Sequence, residues 1–582
     1  MPQPARMLMA AAILVPAMAA FTGARAANPP SFAERIDVHL VNLEVFATDR
    51  EGRPVGDLSA SDFRVFEDER PVTLQSFAWI DGSRSRTTHP VSPGQPEAAA
   101  ATPPARVVVV LDDEHTRAAN RDALFSRLGD VLGSRLPGGS QVMIWRYDRG
   151  MHVLLPFTGE RRQLAAALQQ VAATISSRGI NSDEEWHSTL AILNQDATGQ
   201  LGDGPCLSSA AIARSYAEEK RTEVHRFLGA LNQLVGSLGG LPGRKLVLYV
   251  GDGIPLRPGA EAWDVFIELC AGSGAAQGVP GAKEVASMGS ERERLERPDP
   301  EKLRLEALTY DTSREWAALA ARANSLGVSL SSLVTTAPGQ LAAPLEVDGS
   351  RPSAQVLGAA EANQVDAVFF MARETGGRLV YNGAAVGRDL AGIADDLSAY
   401  YLLGYPASDP GDGRVRHLRV EVSRPGVQLR YRRSYALESE DHQASDRLLS
   451  RLYYDVGDNP FGLKLAAKPP APKDPPKTVR VQVTVPLQGL TLLPGGGAEP
   501  QLQGLITVYL VSRDAQGSAT PVRRRSLPLR FPAAAADAVR QRFYLYEVAM
   551  QLPQGHNDVA VAVRDELSGE ISVAGQAVSI SR

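Results

Sequence analysis

Cysteine is almost missing from this chain: there are two residues, Cys206 and Cys270, in 582. That excludes a disulfide-stapled scaffold, so apolar cores must carry the stability. Histidine is scarce as well. The nine present form no His-Glu-x-x-His or comparable pair, which excludes the usual zinc-hydrolase signatures. Neither Gly-x-Ser-x-Gly nor Gly-Lys-Ser/Thr occurs, which removes the nucleophile elbow and the phosphate loop. VGDGIP (250–255) has too few glycines for a dinucleotide fingerprint. The net charge of −5 provides no basic excess of the kind nucleic-acid binders carry. Beyond the first residues, no apolar run reaches membrane-spanning length. The final Ser-Ile-Ser-Arg lacks the aromatic ending expected of an outer-membrane barrel.

What is present begins with MPQPARMLMAAAILVPAMAAFTGARA (1–26). Arg6 supplies a positive start, an apolar run follows, and Ala24-Arg25-Ala26 fits a small-x-small cleavage site. These residues read as a secretory signal. Loss of Arg6 and Arg25 takes the charge from −5 to −7. Pro16 and the short apolar stretch argue against a membrane anchor. No cysteine stands near the cleavage point for a lipid anchor. The expectation is an exported chain, periplasmic or extracellular, with no membrane span after signal cleavage.

The length exceeds a single core, so about three or four domains are expected. Residues 31–81 look like a small β module: IDVHLVNLEVFATD alternates, and DFRVFEDERPVTLQSFAWI offers two more short strands. GSRSRTTHPVSPGQPEAAAATPPA (82–105) lacks periodicity and reads as a linker. From 106 to 438 strands alternate with helices, interrupted by a charged insertion at 255–312. That alternation predicts an α/β fold with a doubly wound, mostly parallel sheet. In this reading the strands at 400–405, 417–423 and 427–431 close that domain. Residues 445–582 return to strands, among them KTVRVQVTVPL, GLITVYLVSRD and HNDVAVAVRDE, at a spacing that suggests a β-sandwich. NPFGLKLAA is taken as its first strand.

Set in order, these pieces resemble the exported bacterial proteins with a von Willebrand factor A-related domain. VGDLSASDFRVFEDERPVTLQSF is similar to that family's opening module, and GRKLVLYVGDG to the fourth strand and following loop of an A domain. ETGGRLVYN, DDLSAYYLLGYPAS and HLRVEVSRPGVQLRYRRSYA are similar to the stretch that closes the domain. The resemblance covers nearly the whole mature chain. It implies an A domain between two β modules and no defined activity.

It also implies a place to look for a site. In A domains a metal ion sits at the carboxyl ends of the strands, where open α/β sheets bind ligands. The family's first loop reads Asp-x-Ser-x-Ser, with a Thr from a second loop and an Asp from a third. In VVVVLDDEHTR (107–117), Asp112 takes the first position, Glu114 replaces the first Ser and Thr116 the second. Asp252, after LVLYVG, takes the third-loop position. The middle Thr is unplaced, and Thr189 is the nearest candidate. Mg2+ takes about six oxygens, and Ca2+ tolerates more carboxylates, so the extra acid at Glu114 suits either ion or fills the position a partner's carboxylate needs. Two readings stay open. The four residues hold Mg2+ or Ca2+, or they cap the following helix and face water, for which Asp and Thr are well suited.

Other assignments are weaker. Asp-x-Asp-x-Thr after a strand opens haloacid-dehalogenase-type phosphatases, but YVGDGIPL offers only Asp252 and no second acid nearby. His115 is expected to be neither base nor ligand. Tyr400-Tyr401 and Tyr453-Tyr454 are expected in cores and interfaces. The helix at 207–238 runs antiparallel to the strand at 245–250, so Cys206 and Cys270 fall at the same end of the sheet. A Cys206–Cys270 disulfide tying down the insertion is expected, with free thiols as the alternative. The resulting expectation is a non-enzymatic, exported module that binds a protein partner at the cell envelope, with no nucleic acid involved. A phosphatase-like hydrolase using the Asp112 cluster, or a metal-free structural module, are the alternatives.

Overall fold

A computed structural model describes residues 40–582 apart from 83, 91–103, 117–120, 173–177, 202–205, 272–298, 336–351, 382–384, 408–413, 437–438, 469–474, 476–477, 496–499 and 581–582. The signal assigned to 1–26 and most of the linker assigned to 82–105 lie outside the described residues, as does the middle of the insertion.

The strand that opens the middle of the chain explains its own layering. β6 (Arg106–Asp112) is apolar throughout because both of its faces are covered. Val107, Val109 and Leu111 point into one core, and Val108 and Val110 into the other. β6 pairs in parallel with β7 (Gln141–Tyr147) and with β9 (Lys245–Gly251). β9 pairs in parallel with β10 (Val328–Val334), which pairs with β11 (Leu379–Tyr381). The order is β11-β10-β9-β6-β7-β8, with β8 (Met151–Thr158) antiparallel at the edge. The sheet is therefore mixed. Three residues separate β7 from β8, enough for a hairpin and too few for the crossover a parallel partner requires. One face packs on α4 (Ser209–Gly239), α7 (Ser313–Ser325) and α8 (Ala354–Thr375). The other packs on α1 (Arg121–Ser134), α2 (Arg161–Ala172) and α9 (Val386–Asp396).

β12 (Ala399–Pro406), β13 (Val415–Val422) and β14 (Gln428–Tyr431) do not join that sheet. β12 lies between β1 (Leu40–Thr48) and β4 (Ser76–Asp81), β14 flanks β1, and β13 pairs with β2 (Phe63–Glu67). Two chain-distant segments thus build one β unit. The physical reason is a shared core: Leu43, Val45, Phe63 and Phe77 surround Tyr401, Leu403 and Tyr405. The Tyr401 hydroxyl accepts from Leu58 N–H and donates to the Val55 carbonyl, both at 2.9 Å. The segment taken as linker begins with β5 (Arg84–Pro90), which forms a hairpin with β4 across Gly82 at φ +62°. A backbone ladder on an edge strand needs no apolar side chains, so composition hid it.

The last part holds two sheets. β16 (Lys464–Lys468), β17 (Thr478–Pro486) and β21 (Phe543–Gln551) form one. β18 (Leu493–Gly495), β19 (Gln501–Asp514), β20 (Arg523–Pro532), β22 (Gly555–Asp565) and β23 (Ile571–Ile580) form the other. Val481, Val483 and Val485 of the first and Val508, Leu510 and Val561 of the second fill one core. Helix α10 (Glu440–Tyr454) lies between this region and α4. It presents Ala444, Leu448 and Leu452 to Tyr509 and Val573, and its Ser450 hydroxyl donates to Ser237 O and accepts from Gly240 N–H. Tyr453 and Tyr454 pack at this junction, bonded to Gln233 and Ser237.

Candidate functional site

Asp112 ends β6 and Asp252 follows β9, its neighbour in the sheet, so the two acids finish side by side on one rim. The strand-end reasoning placed them together. It did not foresee their surroundings. The Asp112 side chain is 0% exposed. Its Oδ1 accepts from the backbone N–H of Glu114 at 3.2 Å and of His115 at 3.1 Å. His115 Nδ1 sits 2.9 Å from Oδ2 and 3.1 Å from Oδ1. A carboxylate only accepts, so Nδ1 carries the proton. The Tyr249 hydroxyl donates to Oδ2 at 2.8 Å and itself accepts from Gly253 N–H at 3.3 Å.

The flanking residues are turned to other partners. Asp113 pairs with Arg146, and its N–H bonds the Tyr147 carbonyl at 3.0 Å. Glu114 accepts from Arg149 N–H at 3.2 Å and lies 3.6 Å from the Arg226 guanidinium. Thr116 is buried, and the buried Asp252 accepts from the Thr335 hydroxyl at the end of β10. Thr189 takes no part in these bonds. It is buried in α3 (Arg178–Ala197), which packs against α4 and α5 (Ala260–Phe266).

Burial works against protonation of His115, but the Asp112 carboxylate outweighs it and holds the imidazole above its ordinary pKa. Burial, reinforced by Asp112, pushes the Tyr249 hydroxyl far above the usual phenol range. His115 is therefore not an exposed loop residue: its side chain is 11% exposed and its ring bonds Asp112. It lies parallel to the Tyr147 ring at 6.2 Å and edge-on to Phe227 at 6.2 Å.

The rim is enclosed because a second, helical core rises beyond it. At 1.5 Å per residue, the 31-residue α4 is about 46 Å long, roughly twice the length of a strand it covers. Its N-terminal half carries Ala213, Tyr216 and Ala217 into a cluster with Leu190, Trp263, Phe266 and Tyr310, drawn from 178–197 and the insertion 255–312. The Cys206–Cys270 disulfide closes this cap, with Cα atoms 5.8 Å apart. Gly259, at φ +74°, lies so close that a Cβ there would come 2.5 Å from Ala217 Cα. Gly259→Ala is accordingly expected to cost about 1–3 kcal/mol, read as a lowered melting temperature.

The cap holds a further acidic group. Glu185, Glu219 and Glu223 bring their carboxylate oxygens within 4.8 Å of one another. Lys220 Nζ already bridges two of them, at 2.7 Å from Glu185 and 3.2 Å from Glu223.

These donors do not fit a six-oxygen divalent site as they stand. The oxygens of Asp112 are saturated by four donor groups, and the remaining acids point to separate partners. Among the described residues, the rim acids do not converge in the way Glu185, Glu219 and Glu223 do. Sequence reasoning missed Tyr249 and Thr335. A tyrosine inside the aliphatic strand LVLYVG is a usable signal, since a buried phenol seeks a hydrogen-bond partner. Thr335 ends the next strand of the same sheet, where the strand-end argument applies equally.

No family model matches the chain, and comparison with curated proteins finds no match. Similar solved structures include an aerotolerance-related membrane protein from Bacteroides fragilis, at 11% identity, covering 50% of this chain and 98% of that one with a TM-score of 0.23. A von Willebrand factor type A protein from Catenulispora acidiphila matches at 9% identity over 87% of this chain and 74% of its own, with a TM-score of 0.19. The conserved hypothetical protein BatB from Bacteroides thetaiotaomicron matches at 8% identity over 50% of this chain and 98% of its own, with a TM-score of 0.23. At such scores the likeness carries no argument, and function must be read from the geometry. No helix among the described residues is long and apolar enough to cross a membrane.

Proposed function

We propose that this chain is an exported, non-enzymatic protein-interaction module of the cell envelope: an A-type α/β domain, doubly wound, set between a β unit and a C-terminal β-sandwich. The observation that carries the reading is the sealing of Asp112 by His115, Tyr249 and two backbone N–H groups. A nucleophilic carboxylate needs a free oxygen beside a substrate cavity, so this closure speaks against the phosphatase-like alternative. It equally disfavours docking by a partner carboxylate through a Mg2+ or Ca2+ ion. Recognition then falls to the outer surfaces of the modules.

The test has two arms. The purified mature chain is screened against phosphomonoesters, with no turnover expected; activity abolished by Asp112→Asn would replace this reading with the hydrolase. In parallel, the envelope is cross-linked through surface positions of the protein, and each captured partner is purified and titrated against it. Saturable binding that survives EDTA is expected. A chain that captures no partner from any face is a structural module instead.

A further inference from the structure

We propose that this rim is an ion site whose cation has been replaced from within: His115 and Tyr249 occupy, as hydrogen-bond donors, the face of Asp112 that a divalent ion would take, and the rim is held together without metal. The inference rests on the same sealing of Asp112 as the interaction reading, but its test reads cation binding alone, so failure of one is distinguishable from failure of the other.

The first support is stoichiometric. An ionised carboxylate has about four lone-pair positions. Asp112 meets them with Glu114 N–H, His115 N–H, His115 Nδ1–H and Tyr249 O–H, at 2.8–3.2 Å. A cation approaching Asp112 must displace one of these, and none is free to swing away. His115 is held between Tyr147 and Phe227. Tyr249 is oriented by Gly253 N–H, and a Cβ on Gly251 would come 2.4 Å from its hydroxyl and 3.0 Å from Asp112 Cβ. Only a glycine at 251 leaves the space in which the phenol reaches the acid.

The second support is the direction of the other oxygens. A metal site draws its ligands toward one point. Here Glu114 turns to Arg226 and the Arg149 N–H, Asp113 to Arg146, and Asp252 to Thr335. Each acid has its own donor, a guanidinium for Asp113 and Glu114 and a neutral hydroxyl for Asp252, so the oxygens are bonded separately rather than drawn to one shared ion. The third is that the same solution recurs in the cap, where Lys220 Nζ stands between Glu185 and Glu223. There an ammonium of the chain itself stands between two of the three acids.

The proposal is tested on the mature full-length chain by thermal melting and by titration calorimetry with MgCl2 and CaCl2 against EDTA. The wild type is expected to show no heat and an unchanged melting temperature with either ion. His115→Ala removes the imidazole donor and leaves a buried carboxylate underbonded, so its melting temperature drops. Millimolar Mg2+ then raises it by about 2–4 °C, the size of a binding term of about 1 kcal/mol in a domain of this size. Glu114→Ser with His115→Gly and Tyr249→Phe, which restores hydroxyl and open positions, is expected to bind Mg2+ measurably. If that triple variant does not fold, the single variant and the wild type still decide. Two results overturn the proposal: Mg2+ or Ca2+ heat in the wild type that Asp112→Asn abolishes, or a His115→Ala chain that melts with the wild type.

Discussion

Asp396→Ala is expected to cost about 3–5 kcal/mol, the loss seen when one partner of a buried charge network is removed. Asp396 ends α9, where the central sheet meets the β unit built from 40–90 and 399–436. Arg378 grips it with Nε and Nη2 at 2.7 and 2.8 Å, and Arg430 of β14 grips it with Nη1 and Nη2 at 2.8 and 2.6 Å. Arg244 reaches the Asp396 carbonyl while its guanidinium lies 4.6 Å from the Phe46 ring and 4.7 Å from that of Tyr400. One carboxylate therefore holds two arginines that burial would otherwise leave uncompensated, and its removal strands both. Asp396→Asn keeps the volume and separates charge from packing: it should lose nearly as much, because two forked guanidinium contacts need an anion.

The same network sets a pH limit. Burial alone would raise the Asp396 carboxyl, but Arg430 and Arg378 outweigh it and hold it below the usual carboxylate range. A depressed folded pKa contributes stability that is fully present above the unfolded value, about 3.9, and lost as pH falls through the lower folded value. Wild-type melting temperature should thus fall steeply below about pH 4, and the variant's decline over that interval should be shallower. Equal slopes for the two chains would mean that Asp396 does not carry the acid sensitivity.

Removal of the disulfide is the second large effect. Cys206 and Cys270 are 64 residues apart in sequence, and closing a loop of that length restrains the unfolded chain by about 4 kcal/mol in the chain-entropy account. The double variant Cys206→Ser/Cys270→Ser leaves both side-chain volumes nearly unchanged. The loss should be local, because the cap has its own core, separate from the two that cover the sheet. Limited proteolysis is expected to cut within 178–312 in the double variant and under reducing conditions, before the sheet or the C-terminal region is attacked. A cap that resists protease equally with and without the bridge would show that packing of Trp263, Phe266 and Tyr216 suffices.

Much of this was legible in the residues. VVVVLDD had to be a strand covered on both faces and ended by acids. The common end of Asp112 and Asp252 followed from two strands feeding one sheet, and the pairing of Cys206 with Cys270 from a helix running back beside its strand. What was not legible shares a cause. His115 read as a loop histidine because burial is a property of the neighbourhood, and its neighbours Tyr147, Phe227 and Tyr249 come from three other elements. The strands at 399–431 looked like the end of the central domain because their partners lie more than 300 residues earlier, between Leu40 and Asp81. The linker concealed β5 because a backbone ladder leaves no mark on composition.

Sequence alone determined the strands and most of the helices of the central sheet, and at which strand ends the acids stand, because local apolar periodicity and chain direction decide both; β5 and α3 escaped it. Tertiary structure decided what those acids can do. Whether a carboxylate meets water, an ion or a neighbour's proton depends on which groups reach it, and at Asp112 an imidazole and a phenol take the lone pairs that two backbone N–H groups leave.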